Sequence, residues 1–160
     1  MAIDMFIKID NIKGESQDDA HKGETDVLAW SFGASQSGSM HIGGGGGSGK
    51  VNVSDLSFTK WVDKGSTDLM LACCRGTHLK KAVLVCRKAG DKPLEYLTIT
   101  MEDLIVSSYN TGGSGGADKL TESVSLNFAK IKIDYVEQTQ DGSAGEKPKM
   151  AWNVQSNVTY

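Results

Sequence analysis

Hydrophobic residues along this chain recur mainly with a period of two, the signature of strands with one face buried. Near the start, Ile3, Met5, Ile7 and Ile9 point one way while Asp4 and Lys8 point the other. Over 24–33, the alternation sets Leu28, Trp30 and Phe32 on one face and Thr25, Ala29 and Ser31 on the opposite face. A third strand is predicted over 50–60. There the apolar positions are odd at Val51 and Val53, and even at Leu56 and Phe58. A one-residue change of parity turns a strand inside out unless an extra residue is absorbed, so a β-bulge is predicted at Ser54–Asp55.

The same switch recurs between Leu97, Ile99, Met101 and Leu104, Val106, across Glu102–Asp103. It recurs again between Val124, Leu126, Phe128 and Ile131, Ile133, Tyr135, across Ala129–Lys130. Long strands that change face in this way are what a strongly bent sheet or barrel needs. Further strands fit 82–88 and 151–158. One short helix is predicted from Ser66 or Thr67 as cap, through Asp68 in its first turn, to a stop at Gly76. Leu69, Ala72 and Cys73 form its apolar stripe; Met70 and Leu71 widen it, as burial on two sides would explain. The fold class is therefore mainly β: a small β-barrel of two curved sheets with one flanking helix, formed by residues 1–160 as a single domain.

Composition narrows the function. A net charge of −3 and no basic run argue against a nucleic-acid partner. No apolar stretch approaches the roughly 20 residues of a spanning helix, so membrane insertion is not expected. The N-terminal MAIDMFIKID is interrupted by charge and lacks a signal-peptide core. Cys73, Cys74 and Cys86 are odd in number, show no CxxC spacing, and read as small apolar residues of a core. His21, His41 and His78 lie far apart without ligand spacing, so neither a metal nor a cofactor is expected.

Glycine is concentrated in 38–50, 111–116 and 141–145. Gly44, Gly49 and Lys50 satisfy part of a phosphate-binding loop, but Val51 stands where Ser or Thr must hold magnesium. From Val51 onward the chain has a strand pattern, whereas the motif needs a helix N-terminus facing the phosphates. No nucleophile elbow appears, and Glu102–Asp103 reads as a solvated kink. No catalytic set is present, and the chain is not expected to be an enzyme.

Together and in order, DMFIKI (4–9), KGES (13–16), DVLAWSFG (26–33), SQSGSMHIGGGGGSGKV (35–51), DLSFTK (55–60), RKAG (87–90), TGGSGG (111–116) and LNFA (126–129) resemble the Hcp family, the haemolysin-coregulated tube proteins of bacterial type VI secretion systems. The resemblance covers residues 3 to about 158. It implies a homohexameric ring, rings stacked into a tube, and expulsion by a contractile sheath behind a spike protein. It also implies effector proteins carried in the lumen, and export from the bacterial cytoplasm without a cleavable signal peptide. On that reading, pleating sends Thr25, Ala29, Ser31, Ser123 and Ser125 to the outer face, as candidates for the lumen wall. The loop residues Ser39, Met40, His41, Ile42, Gly43, Gly44, Gly45, Gly46 and Gly47 become candidates for contact between subunits or rings. The alternative from the barrel pattern alone is a small-ligand carrier.

Overall fold

The alternating segments pair into ten strands and one helix, described over residues 2–38 and 50–160 of a computed structural model. The elements are β1 (Ile3–Ile9), β2 (Thr25–Ser31), β3 (Ala34–Ser35), β4 (Asn52–Val53), β5 (Leu56–Trp61), α1 (Ser66–Arg75), β6 (Leu79–Lys88), β7 (Leu94–Thr111), β8 (Thr121–Tyr135), β9 (Lys149–Asn153) and β10 (Val158–Thr159). Antiparallel pairing runs β10-β9-β8-β5-β2-β1-β6-β7, and β7 pairs back onto β8. Six strands thus close an antiparallel barrel, extended by the β9–β10 pair, with β3 and β4 as a separate ribbon.

Inside, Ile7, Leu56, Phe58, Leu84, Ile99, Met101 and Leu126 are buried as one cluster. Phe128 joins it and meets the Phe32 ring edge-on at 6.4 Å. Side chains thus fill the interior, as in other barrels of small strand number.

Two predicted parity switches sit opposite each other. Glu102 pairs with Lys130, and Asp103 takes a left-handed φ of 53°. β7 and β8 therefore bend together, so that Met101 and Ile131 on one side of the bend and Leu104 and Phe128 on the other all face inward. The switch at Ser54–Asp55 is a break between β4 and β5 instead of a bulge. There the Ser54 hydroxyl donates to the Gly33 carbonyl and accepts from the Gly33 N–H, at 3.0 and 2.8 Å, beside a backbone bond from the Ser54 N–H to the same carbonyl at 2.8 Å.

One further bulge corrects the reading of 24–33. Val27 pairs with Lys60 but Ala29 with Thr59, so Leu28 is the inserted residue. Before the bulge Thr25 and Val27 face inward; after it Trp30 and Phe32 do. Thr25 is consequently 4% exposed and part of the interior, while Leu28, expected in the core, is 37% exposed. The cysteines divide as well: Cys86 is buried, Cys73 half-buried and Cys74 exposed on α1.

The helix begins at Ser66 with Gly65 as its N-cap and no side-chain cap bond. Gly65 is required by space, since a Cβ there would lie 2.6 Å from the Lys13 carbonyl oxygen. Gly76 ends α1 in the left-handed conformation, as expected, at φ 60°. Ser66 is drawn away from capping into a buried network. Lys60 of β5 and its cross-strand partner Glu122 of β8 both point inward and are 0% and 3% exposed. The Lys60 ammonium bonds Glu122, Asp63 at 2.9 Å and the Ser66 hydroxyl at 3.1 Å. Ser66 and the Tyr109 phenol also donate to Glu122. Burial by itself would raise the Glu122 pKa, but the bonds from Lys60, Ser66 and Tyr109 prevail and hold it below the usual carboxylate value. The network pins the start of α1 to the inner faces of β5, β8 and β7.

On the far side of the barrel, the chain between β1 and β2 folds over the outer faces of β1 and β6. His21 stacks on Phe6 at 4.4 Å and bonds Glu24 and Glu95 at 2.9 and 2.7 Å. Arg87 lies over the same Phe6 ring and donates twice to Asp18, at 3.0 and 2.6 Å. Those bonds from Arg87 lower the Asp18 carboxyl to about 2.

Replacing Phe128 by Ala should cost roughly 3–5 kcal/mol, a large share of a typical 5–15 kcal/mol. An unchanged, fully cooperative unfolding midpoint would contradict its placement. Glu122→Leu, which leaves the buried Lys60 ammonium with Asp63 as its one carboxylate partner, should cost up to roughly 3–5 kcal/mol, whereas adding Lys60→Met should recover much of that loss. Because the folded Glu122 pKa is depressed, its contribution is present at neutral pH and lost as pH falls through the folded value. The acid limb of the stability profile should therefore flatten in the double variant.

Candidate functional site

Alternation commits one face of each strand to the core, and the opposite face becomes a surface. For β1 and β6 that surface is covered by the chain segment carrying Asp18 and His21. For β2, β5, β8 and the last part of β7 it is bare, and its composition is unusual.

Pairing lays the residues of this face in two rows. One row reads Ser31, Ser57, Ser125 and Ser108 across β2, β5, β8 and β7. The next reads Ala29, Thr59, Ser123 and Asn110. All eight side chains are exposed or half-buried, and none carries charge. A free protein surface commonly favours Lys and Glu at such positions. The hydroxyls also satisfy one another, with Ser57 and Ser125 oxygens 2.7 Å apart. At the border of the block the Asp55 carboxylate accepts from the Ser107 hydroxyl at 2.6 Å and the Asn127 amide at 2.8 Å. Apart from Asp55 at that border, the charges nearest the two rows lie behind the sheet, in the Lys60–Glu122 pair.

Of the residues picked from sequence, Ala29, Ser31, Ser123 and Ser125 thus share one face and two adjacent rows. Thr25 does not, because the Leu28 bulge reverses the parity ahead of it. Ser57, Thr59, Ser108 and Asn110 belong to the same block and were missed. The first two alternate with Leu56 and Phe58 and were open to the same argument; the latter two are hidden by a bulge at Ser107. The loop candidates Ser39, Met40, His41, Ile42 and Gly43 to Gly47 lie outside the described residues; Lys50, just beyond them, is exposed.

The block has a second property. β1 pairs with β2 only at Thr25 and Asp26, and β6 pairs with β7 no further than Leu104. Among the described residues, Leu28–Ser31 and 105–111 are therefore hydrogen-bonded as strands on one side only. The four-stranded block ends on either side in a half-paired strand. Among the described residues no cluster of His, Cys, Asp and Glu could hold a metal. Chemically the site offers backbone edges and a smooth neutral face.

Comparison with known proteins agrees with this architecture. A family profile described as "Type VI secretion system effector, Hcp" matches residues 6–135. The chain is 58% identical to Protein hcp1 of Pseudomonas aeruginosa over 160 residues, covering 99% of each. Among solved structures it is similar to Hcp1 from Salmonella typhimurium, with 40% identity, full coverage of both chains and a TM-score of 0.84. It is also similar to a type six secretion system protein, with 34% identity, 99% and 100% coverage and a TM-score of 0.92. The chain belongs to the Hcp family of the type VI secretion system, as a structural protein of the secreted tube and not an enzyme.

Proposed function

We propose that this chain forms a six-membered ring whose lumen is lined by the neutral block, and that stacked rings make a channel holding effector cargo. The observation that carries the reading is the block itself: four strands with an uncharged outer face and a half-paired strand on each side. Unpaired strand edges tend to find a partner strand. Joining the 105–111 edge of one copy to the Leu28–Ser31 edge of the next continues the sheet, and a contact between two different edges closes into a ring when the rotation suits. The uncharged rows then face the axis. A wall of Ser, Thr, Asn and Ala presents no fixed charge to trap a passing polypeptide.

The remaining surfaces are assigned by this placement. The segment over β1 and β6 lies on the far side of the barrel and faces outward, toward the contractile sheath. The ring ends meet neighbouring rings and, at the tip, the spike protein. Residues Ser39 to Gly47 are assigned, from sequence, to contact with a neighbouring subunit or ring.

Native mass spectrometry and electron microscopy of the purified protein should show a hexameric ring. In that ring Ser31→Gln should leave the mass unchanged and reduce the amount of co-purifying effector. Dissociation into monomers would place Ser31 at a subunit seam, and unaltered cargo retention would remove it from the lumen. Deleting Gly43–Gly47 should weaken ring or tube assembly while a cooperatively folded monomer persists; undiminished assembly would exclude the loop from the contact.

A further inference from the structure

After β8 the chain turns back through residues 137–146 before entering β9. The Glu137 N–H bonds the Glu146 carbonyl at 2.8 Å, and the Thr139 N–H bonds the Ser143 carbonyl at 2.8 Å. At the tip, Gly142 donates its N–H to the Thr139 carbonyl at 2.9 Å and takes a φ of 85°. That left-handed conformation favours glycine over any residue with a Cβ. The residue before it is Asp141, which is exposed. In the whole sequence Gly142 is the one glycine preceded by Asp or Asn.

An Asp–Gly pair is chemically vulnerable. The glycine nitrogen, unshielded by a side chain, can attack Cγ of the neutral carboxylic acid. A C–N bond forms, and the acid's hydroxyl leaves as water with the proton shed by the nitrogen. Water then reopens the five-membered imide at either carbonyl. One opening restores aspartate. The other routes the main chain through Cγ and gives isoaspartate, with one extra methylene in the backbone and no net change in composition. Water is the only co-reactant.

Three donors converge on one oxygen of Asp141, Oδ1. Ser143 gives its hydroxyl at 2.6 Å and its N–H at 3.1 Å, and the Thr139 hydroxyl donates as well. The two hydroxyl oxygens are themselves 2.9 Å apart. We propose that Thr139 and Ser143 protect the Asp141–Gly142 bond, keeping an exposed modification site from isomerising to isoaspartate. Both reacting groups are restrained. The bonds from Ser143 and Thr139 favour the ionised carboxylate and hold the Asp141 carboxyl at about 2, so the neutral acid that the reaction consumes is scarcer than for an ordinary aspartate. The attacking nitrogen keeps its proton engaged with the Thr139 carbonyl. Because the turn requires glycine at 142 for its φ, and Asp141 to gather its bonds, the vulnerable pair is built into the turn and the hydroxyls offset it. An added methylene at 141 would pull apart the Thr139–Ser143 and Glu137–Glu146 pairing that leads into β9. The proposal is independent of the ring reading.

Prolonged incubation at neutral pH, followed by digestion and electron-transfer fragmentation, measures isoaspartate at position 141. In the folded, unaltered protein it should accumulate about tenfold more slowly, or slower still, than in the same chain held in denaturant. Thr139→Val combined with Ser143→Ala should remove most of that protection while the circular dichroism and unfolding midpoint stay close to those of the parent. Thr139→Ser, which keeps the hydroxyl, should retain it. In denaturant all these chains should isomerise at closely similar rates, since the protecting bonds exist only in the fold. Equal accumulation in the folded and denatured parent would overturn the inference. So would a folded double variant as resistant as the parent, loss of protection in Thr139→Ser, or the same gap between parent and double variant in denaturant. A double variant that fails to fold would overturn it as well, by giving the two hydroxyls a structural role instead.

Discussion

The β7–β8 ladder is the constraint on which the remaining architecture depends. It runs from Leu97↔Tyr135 to Thr111↔Glu122 and serves two neighbourhoods in turn. Up to Leu104, β7 is also paired with β6 and completes the barrel. Beyond it, β7 continues with β8 alone, and β8 passes to β5. Neither strand can do both without turning, because a straight pleated strand would carry its core face out to solvent at the junction. The matched irregularities at Glu102–Asp103 and Ala129–Lys130 make that turn in both strands at once. Within the bend the left-handed residue is Asp103, whose short carboxylate side chain tolerates that conformation better than a branched apolar one.

With β1 and β6 gone from the lower half, the inner face of β5, β8 and β7 needs another cover, and α1 supplies it. Leu69 and Ala72 bury the apolar part of the contact. The polar part is the Lys60–Glu122 pair with Ser66 and Tyr109. A buried ion pair of this kind adds little net stability over a hydrophobic filling. Its use here is geometric: Lys60 and Glu122 are cross-strand partners, so their pairing fixes the β5–β8 register. That register decides that Ser57 lies beside Ser125, and Thr59 beside Ser123, on the outer face. The burial of charge and the neutrality of the wall thus belong to one arrangement.

Much of this was legible as alternation. The strands, the short helix with its Gly76 stop, and both halves of the bend at Glu102 and Lys130 are set by where apolar residues change parity. Leu28 misled because Val27 and Leu28 are adjacent and both apolar. Either could have been the inward residue, and only the pairing of Val27 with Lys60 and Ala29 with Thr59 decides between them. Thr25 was misplaced by the same ambiguity. The ion pair was visible but unread: Lys60 shares the parity of Leu56 and Phe58, and Glu122 that of Val124 and Leu126. Two opposite charges at core positions of strands that pair are a signal of a buried bridge. Phe6 gave no signal at all, since the segment that covers it comes from elsewhere in the chain.

Half-paired strands are ordinarily a hazard, and isolated proteins blunt them with lysine, proline or a covering loop. The Leu28–Ser31 edge carries none of these: its side chains are Leu28, Ala29, Trp30 and Ser31. Residues 105–111, reading IVSSYNT, carry none either. By contrast, the outer face of β1 and β6 is covered by a segment fastened through Arg87, His21 and three carboxylates. One surface of the barrel is thus closed with stacked rings and charge-assisted bonds, while the other keeps its edges open and its face free of charge. In a monomer that asymmetry is a liability, because an open edge is a template for pairing with another chain. In the proposed ring the same edges would become ladders, and the face that lacks charge would line the lumen.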